Sequence, residues 1–497
     1  MNASVTEIVE VLGGRLLGTA EENASMHADR FVGGVSIDTR SLRRGNAFFA
    51  LRGDRTDGHA FLADAHDAGA SVAIVDTIDA ISDAARSLPR LPLVCVPDAR
   101  LALAQLATHH RERLRDRGIR VAAITGSNGK TTTVRILHAM LHAHGPSHCP
   151  PRSFNNDLGL PLTLLNAPPD TATHVCECGI NAPGEMRVLA DIVKPDVALI
   201  TSIGRAHLEA LGTTDDVARE KAELLRGAPI GIVPGGVPEL DRVLSTEGAP
   251  LPNKLLRVGT SRADDVVISR IDVDGPEHVG LTLDRTGFDV PLGGMHNALN
   301  AAIAITAARA MAPRISDNAL RAGLSRVEAP PMRQTRRTLR LSPEGGEIRL
   351  INDAYNANPE SVEVALAALA GEPRAGAGRR IAVLGDMLEL GDHAPEAHRD
   401  LGSRLAQSND VDVVVLLGPL MAFCAGELRR SWDAGRIVPF PELDDRSILQ
   451  VVSLLRDGDI VLLKGSRGMR LERIASALLD REESSVQTTT SYSEGAP

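Results

Sequence analysis

The sequence predicts an α/β protein that is built from three domains. A chain of 497 residues is too long for one ordinary domain, and two or three are expected. Apolar segments typical of strands alternate with helical patterns along most of the chain, and this order favours mainly parallel sheets. One strand leads through a glycine-bearing turn into a helix, which is an arrangement suited to binding an anion.

The strand and helix signals divide the chain at about residues 112 and 328. The first section, 1–112, has short elements such as FFALRG and ends in a helix near 99–115. The second, 113–328, has the strands VAAIT, HVCECGI and DVALITSIG, and a late helix in HNALNAAIAITAARAMA. The third, 329–480, alternates IAVLGD, VDVVVLLG and DIVLLKGS with helices. The tail, 481–497, is polar and rich in serine and threonine, and we expect it to be disordered.

Composition and charge narrow the classes of function. Hydrophobic residues make up 43% and charged residues 24%, which is typical of a soluble globular protein. The net charge of −10 argues against a general nucleic-acid binder. No apolar run approaches the roughly twenty residues of a membrane span, and MNASVTEIVEVLGG lacks the regions of a secretory signal. We therefore expect a cytoplasmic protein without membrane insertion or a nucleic-acid partner.

The five cysteines predict no disulfide framework, because their number is odd and none is spaced as C-x-x-C. Cys176 and Cys178 flank Glu177 in a strand, where alternation places both thiols on one face. We expect both to be buried as small apolar residues.

Lysine is rare, with five among the 54 basic residues. A chain that uses arginine almost everywhere keeps lysine where a primary amine is needed, because the two side chains differ chemically. Lys130 and Lys464 lie beside glycine in loop-like segments, and Lys221 lies in a helical pattern. These three are predicted to be functional, and Lys194 and Lys254 are not. Codon bias is the alternative.

The segment TGSNGKTTT resembles a phosphate-binding loop but is shorter than G-x-x-x-x-G-K-[ST]. Ile124 stands where the first glycine would be, and two residues separate Gly126 from Gly129. The strand, the glycines and the start of a helix still direct backbone N–H groups towards an anion. Lys130 is predicted to contact the outer phosphates and Thr131 to reach Mg²⁺. A turn without a ligand is the alternative, although such a turn rarely needs Gly-Lys-Thr-Thr-Thr.

Two further polar side chains follow predicted strands, where open α/β sheets place their ligands. Glu177 in ECGINAPGE is a candidate Mg²⁺ ligand, because Mg²⁺ prefers hard oxygen donors. His207 follows a strand in SIGRAHLEALG. A solvated acid and a structural histidine are the alternatives for these two positions.

The ordered set of motifs resembles the Mur ligase family over nearly the whole chain. The family's N-terminal uridine-nucleotide domain is similar to SIDTRSLRRGNAFFALRGDRTDGHAFLADAHDAGA, and its short phosphate loop to TGSNGKTTT. Its central motifs are similar to FNNDLGLPLTLL, ECGINAPGEM, IGRAHLEALG, AREKAELL and GMHNALNAAIA, and its C-terminal motifs to INDAYNANPESV, VLGDMLELG and LLKGSRGM. The resemblance implies a small α/β N-terminal domain, a central P-loop ATPase domain with a mainly parallel sheet, and a Rossmann-like C-terminal domain.

The resemblance also implies an activity. ATP would phosphorylate the carboxylate of UDP-N-acetylmuramoyl (UDP-MurNAc) tripeptide, and D-alanyl-D-alanine would attack the acyl phosphate to give the pentapeptide, ADP and phosphate. This reaction belongs to peptidoglycan synthesis. The YNANP segment is typical of this branch, and the DNPR segment of neighbouring branches is missing. Another Mur-type ligase, a folate-polyglutamate type ligase and an ATPase without an acceptor are the alternatives. We expect a monomer.

Individual residues acquire roles from the same resemblance. Those implied for the nucleotide are Gly126, Ser127, Asn128, Gly129, Lys130, Thr131, Thr132, Asn297, Asn300, Arg333 and Asp353. Those implied for substrates are Ser36, Asp38 and Arg40 at the UDP-sugar end, with Asn155, Asn156, Asn356, Asn358, Lys464 and Ser466 elsewhere. The implied catalytic residues are Lys130, Glu177, His207 and Lys221. Two Mg²⁺ sites are implied at Thr131, Glu177, His207 and Lys221, and the last would carry CO₂ as a carbamate.

Several positions depart from the family pattern. Met332 stands where a glycine usually precedes the arginine at position 333, Asn352 replaces an acid, and Ala182 replaces a polar residue. Aromatic residues make up only 2% of the chain. We therefore expect aliphatic groups or Phe49 to contact the rings of a bound nucleotide.

Overall fold

The computed structural model describes residues 1–17, 30–53, 56–77, 91–151, 153–341, 346–374 and 376–493, with side chains as far as Glu482. The predicted fold class is confirmed, because three α/β units follow one another, each with its own mainly parallel sheet. In these ranges no helix has the length and apolar character needed to cross a membrane.

The first unit is a small five-stranded sheet with short helices. Its strands, in the order β2-β7-β6-β5-β4, are parallel except for β2. Phe49 is completely buried in this unit, so the expectation that it contacts a ligand ring is wrong. The elements are β1 (Ala3–Ser4), α1 (Val5–Leu12), β2 (Arg15–Leu17), β3 (Phe31–Val32), β4 (Val35–Ser36), β5 (Ala47–Phe49), α2 (Leu62–Asp67), β6 (Val72–Val75) and β7 (Leu93–Cys95).

A long helix, α3 (Ala99–Asp116), connects the first unit to the second. It continues through the predicted boundary at residue 112. Arg111 on this helix is completely buried and donates from Nε to the carbonyl oxygen of Val193 (2.9 Å) and from Nη2 to Asp196 (2.7 Å). These contacts attach the helix to the second unit.

The second unit contains a nine-stranded sheet in the order β16-β15-β14-β13-β12-β11-β8-β10-β9. The seven strands from β8 to β14 are parallel to their neighbours in this sheet. Strands β15 and β16 extend it beyond β14 as antiparallel strands. Cys176 and Cys178 are completely buried, as predicted, and burial raises the pKa of Cys176 to about 12. The elements are β8 (Arg120–Thr125), α4 (Lys130–His144), β9 (Ser147–His148), α5 (Gly159–Leu165), β10 (Thr173–Glu177), α6 (Glu185–Val193), β11 (Val197–Ile200), α7 (Leu208–Leu211), α8 (Thr214–Ala222), β12 (Ile230–Pro234), α9 (Pro238–Leu244), β13 (Lys254–Gly259), β14 (Val266–Asp274), β15 (His278–Leu283), β16 (Thr286–Val290), α10 (Met295–Met311) and α11 (Asp317–Leu324).

The third unit has a six-stranded sheet in the order β17-β18-β22-β19-β20-β21, in which only β17 is antiparallel to its neighbour. The last helix continues to Ser493, and the remaining four residues lie outside the described ranges, so disorder over 481–497 stays a prediction. The elements are β17 (Thr335–Arg340), β18 (Glu347–Asp353), α12 (Pro359–Gly371), β19 (Arg380–Gly385), α13 (Ala394–Gln407), β20 (Val413–Leu417), α14 (Met421–Leu428), β21 (Ile437–Phe440), α15 (Asp445–Leu454), β22 (Ile460–Lys464) and α16 (Glu472–Ser493).

Candidate active site

A cavity of about 960 Å³ lies between the second and third units. Parallel strands end at the same edge of a sheet, so the loops after β8, β10 and β11 meet on one side of it, and those after β18 and β22 meet on the other. Most of the predicted site residues line this cavity: Ser127, Asn128, Gly129, Lys130, Thr132, Asn155, Asn156, Glu177, His207, Asn297, Asn300, Arg333, Asp353, Asn356, Asn358, Lys464 and Ser466.

The glycine-bearing loop between β8 and α4 requires both of its glycines. Gly126 has φ of 151°, and a Cβ there would lie 2.0 Å from Oγ1 of Thr201. Gly129 has φ of 80°, and a Cβ there would lie 2.5 Å from Oδ1 of Asn300. Neighbouring elements lie close to the loop on both sides. A larger residue at either position would therefore clash with them and would be strained in its backbone.

Polar contacts to the segment after β11 hold the same loop. The backbone N–H of Asn128 donates to Ser202 Oγ (2.8 Å), and Thr201 donates to the carbonyl oxygen of Asn128 (2.5 Å). Ser127 Oγ donates to the carbonyl oxygen of Gly204 (3.1 Å). The loop is therefore preorganised by its own chain.

Lys130 begins α4, and its side chain folds back over the loop. Its Nζ donates to the carbonyl oxygen of Gly126 at 2.7 Å. Burial lowers the pKa of Lys130 to about 8, with a further decrease from the charge of Arg333 and a partial offset from Glu177. An anionic group in the cavity would stabilise the ammonium, so Lys130 is suited to binding phosphate.

Glu177, at the end of β10, is 1% exposed and both of its carboxylate oxygens accept hydrogen bonds. Thr131 Oγ1 donates to one oxygen (2.8 Å) and Asn155 Nδ2 donates to the other (2.9 Å). The described ranges contain no cluster of three His, Cys, Asp or Glu side chains that would hold a metal alone. Mg²⁺ bound with a nucleotide needs only one or two protein oxygens, with phosphates and water completing its shell. The Glu177–Thr131 pair fits that requirement.

Lys221 lies on α8 beneath the site and is 1% exposed. Burial lowers the pKa of Lys221 well below its usual value, and the nearby charge of Lys130 lowers it further. Both effects shift this side chain towards the neutral amine. It does not belong to the cavity lining, in contrast to Lys130 and Glu177.

On the third unit, Asp353 and Lys464 end the adjacent strands β18 and β22 and form a buried ion pair with 3.1 Å between Oδ2 and Nζ. Burial raises the pKa of Asp353 and lowers that of Lys464, while each charge partly offsets the shift of the other. Lys464 also donates to the carbonyl oxygen of Asn356 at 2.5 Å. Lys221 and Lys464 are thus buried and Lys130 is partly buried, whereas Lys254 is exposed.

Asn358 caps α12 and also contacts the glycine-bearing loop. Its Oδ1 accepts from the N–H of Ser361 (2.9 Å), and its Nδ2 donates to Oδ1 of Asn128 (3.0 Å). Asn128 returns a weaker bond of 3.3 Å. Asn358, which is predicted to bind substrate, therefore contacts the glycine-bearing loop of the second unit from its position in the third unit.

The residues predicted for the sugar nucleotide do not line the cavity. Ser36, Asp38 and Arg40 lie in a turn of the first unit, where Ser36 Oγ donates to the carbonyl oxygen of Asp38 at 2.9 Å. Arg40 pairs with Asp38 at 2.7 Å and is exposed. Their ligand role stays a prediction.

Sequence reasoning missed several residues of the cavity. Tyr355 lies between Asp353 and Asn356 and has the guanidinium of Arg333 4.1 Å above its ring centre. Glu360 and Glu389 also line the cavity. Tyr355 and Glu360 lie in the DAYNANPE segment and Glu389 lies in VLGDMLELG, where the sequence pattern indicates no particular role for these three side chains.

Family models match three consecutive parts of the chain. The Mur ligase family catalytic domain matches residues 32–111, the Mur ligase middle domain matches 124–308, and the Mur ligase glutamate ligase domain matches 336–467. The gaps between the matches fall near the connections between the three units.

Curated relatives are similar over almost their whole length. A UDP-N-acetylmuramoyl-tripeptide–D-alanyl-D-alanine ligase from Bacillus subtilis is 34% identical, covering 96% of this chain and 98% of the relative. The enzyme of the same name from Escherichia coli is 30% identical with the same coverage.

Solved structures show the same architecture. MurF from Acinetobacter baumannii superposes with a TM-score of 0.80 at 27% identity, over 97% of this chain and 99% of that one. MurF from Thermotoga maritima in complex with ADP gives 0.71 at 27% identity, over 91% and 98%. A folylpolyglutamate synthase from Mycobacterium tuberculosis, at 19% identity, 0.58 and 75% and 92% coverage, shares the fold.

Proposed function

The chain belongs to the Mur ligase family, and we propose that it is the ATP-dependent ligase that joins D-alanyl-D-alanine to UDP-MurNAc-tripeptide. The observation that carries the proposal is the cavity, where the nucleotide loop of the second unit faces the YNANP and KGS segments of the third. An ATPase without an amine acceptor would not require the YNANP and KGS segments opposite the loop.

The chemistry follows from how charge is distributed over the cavity. The N–H groups of the loop, Lys130 and Arg333 would hold the ATP phosphates and spread the charge that develops during transfer to the tripeptide carboxylate. The acyl phosphate formed would be attacked by the amine of D-alanyl-D-alanine, and loss of phosphate would leave the amide. Burial between two units would keep water from the acyl phosphate.

Glu177 and Thr131 are the residues we assign to one Mg²⁺, and His207 with modified Lys221 to the other. Bound there, Mg²⁺ would neutralise phosphate charge and orient the transferred group. Glu177 is already ordered by Thr131 and Asn155, so its carboxylate needs little rearrangement.

Lys221 is assigned a carbamate. A neutral amine attacks CO₂ and releases one proton, and burial favours the neutral amine at this position. The product would place a negative charge where an ammonium would repel Mg²⁺. Arginine cannot form it, so Lys221→Arg should lose nearly all ligase activity, whereas Lys254→Arg at an exposed position should keep it. Full activity of Lys221→Arg would rule out the carbamate.

The ligase assay uses the intact protein with ATP, Mg²⁺, D-alanyl-D-alanine and UDP-MurNAc-tripeptide ending in either diaminopimelate or lysine. We expect UDP-MurNAc-pentapeptide by mass spectrometry, with one ADP per product. The absence of product with both tripeptides, from protein shown to be folded, would contradict the proposal. ATP hydrolysis unchanged by the acceptor would favour an ATPase instead.

We further infer that Ser36, Asp38 and Arg40 bind the UDP-sugar end, and that the enzyme works as a cytoplasmic monomer. Light scattering at micromolar concentration checks the oligomeric state. Arg40→Ala should raise the KM for the UDP-tripeptide and leave the KM for ATP unchanged.

A further inference from the structure

A side-chain contact joins His207, a candidate metal ligand of the second unit, to the third unit. Nδ1 of His207, in the loop after β11, lies 2.6 Å from Oε2 of Glu389, in the loop after β19, as an ion-pair contact whose angle is outside that of a hydrogen bond. The His207 side chain is only 16% exposed, so this carboxylate is a major part of its surroundings. Both residues line the cavity.

Both partners have unusual backbone conformations. His207 has φ of 59° and Glu389 has φ of 64°, in the left-handed region that costs a residue with a side chain about 1–2 kcal/mol. Such conformations persist where the surroundings fix them, and they cluster at functional sites. Two residues in this conformation face each other across the interface between the second and third units.

The loop that carries Glu389 is anchored residue by residue. Asp386 accepts from the N–H of Met421 (2.9 Å), and the N–H of Met387 donates to Nε2 of His398 (3.1 Å). The N–H of Leu388 donates to Ser466 Oγ (2.9 Å). These bonds lie within the third unit, so the loop holds its shape independently of His207.

The main chain of the same loop also reaches the second unit. The carbonyl oxygen of Glu389 accepts from the N–H of Glu209 at 3.1 Å, two residues beyond His207. Glu389 therefore contacts both the side chain of His207 and the first turn of α7. A change in the docking of the third unit would move the carboxylate away from the imidazole.

A histidine that binds a metal usually donates its other ring N–H to a carboxylate, which fixes the orientation of the ring and raises its basicity. We propose that Glu389 is a positioning residue that performs this role for His207, leaving Nε2 as the metal-binding nitrogen. The inference rests on the proposed role of His207 in metal binding. The third unit would then complete the metal site only when it is docked.

The consequence is a thermodynamic link between metal binding and docking. If docking raises the affinity for the metal by some factor, the metal must favour docking by the same factor. Another polar contact of the interface joins Arg205 to Glu360 at 2.9 Å and does not involve His207. Glu389 is therefore the residue through which we expect the link to act.

The test measures Mn²⁺ binding by electron paramagnetic resonance on the intact enzyme with a non-hydrolysable ATP analogue. Glu389→Ala should weaken Mn²⁺ binding by about tenfold or more, which is typical for loss of such a partner, and Glu389→Gln should lie between it and wild type. Glu363→Gln is the matched control, since Glu363 is 4.0 Å from Arg205 at the same interface. It should bind Mn²⁺ as wild type does.

A double-mutant cycle separates positioning from general damage. In a His207→Ala background, Glu389→Ala should cause no further loss of Mn²⁺ affinity, because its target is gone. Unchanged Mn²⁺ affinity in Glu389→Ala, with a loss in His207→Ala, would overturn the proposal alone. Unchanged affinity in both would also remove His207 from the metal site. The ligase assay decides the proposed reaction separately.

Discussion

Replacing Asp353 by Asn tests the buried ion pair at the centre of the third unit. Asp353 is 8% exposed and Lys464 is 3% exposed. The substitution keeps the size of the side chain but leaves the ammonium of Lys464 without its carboxylate. Breaking one side of a buried pair is usually costly, because the remaining charge stays desolvated.

The size of the effect has a ceiling that depends on pH, since Lys464 can lose its proton instead of remaining charged. Its usual pKa is 10.5, so deprotonation costs at most about 3.4 kcal/mol at pH 8 and about 2 kcal/mol at pH 9. The pKa of Lys464 is lower in the folded than in the unfolded state. Folding therefore releases a proton between this lowered pKa and 10.5, and in that window the variant gains stability as the pH rises.

The assay follows thermal unfolding through Trp432, the single tryptophan, which is buried in the third unit. At 2–4 °C per kcal/mol, we expect Asp353→Asn to lower Tm by about 5–10 °C at pH 8 and by clearly less at pH 9. Asp353→Asn/Lys464→Met, which has neither charge, should recover most of the loss. A deficit that does not change with pH, or a double variant as unstable as the single one, would refute the reasoning.

Two further substitutions test backbone strain and a buried histidine. Met332 has φ of 57° in the segment between the second and third units, so Met332→Gly should raise the free energy of unfolding by up to about 1 kcal/mol after the entropy cost of glycine. Met332→Ala, which keeps the strain, should give no gain in the same urea titration. His174 has no hydrogen-bond partner for either ring nitrogen, and burial lowers its pKa to about 3. Because the unfolded chain takes up this proton near pH 6.5, wild type loses stability as the pH falls below 6.5, and His174→Leu should reduce that slope by about 1.4 kcal/mol per pH unit. An unchanged slope between pH 6.5 and 5 would contradict this account.

The sequence was sufficient for the elements whose periodicity and ends are both distinct. The prediction of a helix near 99–115 agrees with α3, and the strands VAAIT, HVCECGI and IAVLGD agree with β8, β10 and β19. The antiparallel strands β14 to β16 were not predicted, since exposed polar residues occupy much of β14 and weaken its apolar signal. The division placed at residue 112 falls inside α3, because the contact of Arg111 with the second unit depends on tertiary structure.

A rare residue type gave the clearest signal for candidate site residues. Lysine stands out in an arginine-rich chain, and Lys130 and Lys464 line the cavity while Lys221 is buried near Lys130; their roles stay predictions. Glu389 is one acid among 64 acidic residues, and nothing in its local sequence indicates a partner 182 positions away, at His207. A local sequence pattern does not predict a contact between two units, because neither of the two segments is distinctive by itself.

The short glycine-bearing loop shows how the two kinds of information combine. It is shorter than the usual phosphate-binding pattern, but its strand, its glycines and the start of its helix keep the elements that direct backbone N–H groups towards an anion. In the fold, Thr201 and Asn300 press against the two glycines, and Asn358 reaches the loop from the third unit. Residues from neighbouring elements therefore surround the short loop. Of these three residues only Asn358 belongs to the third unit, so docking of that unit adds one polar contact to the loop, as it would add the contact of Glu389 with His207.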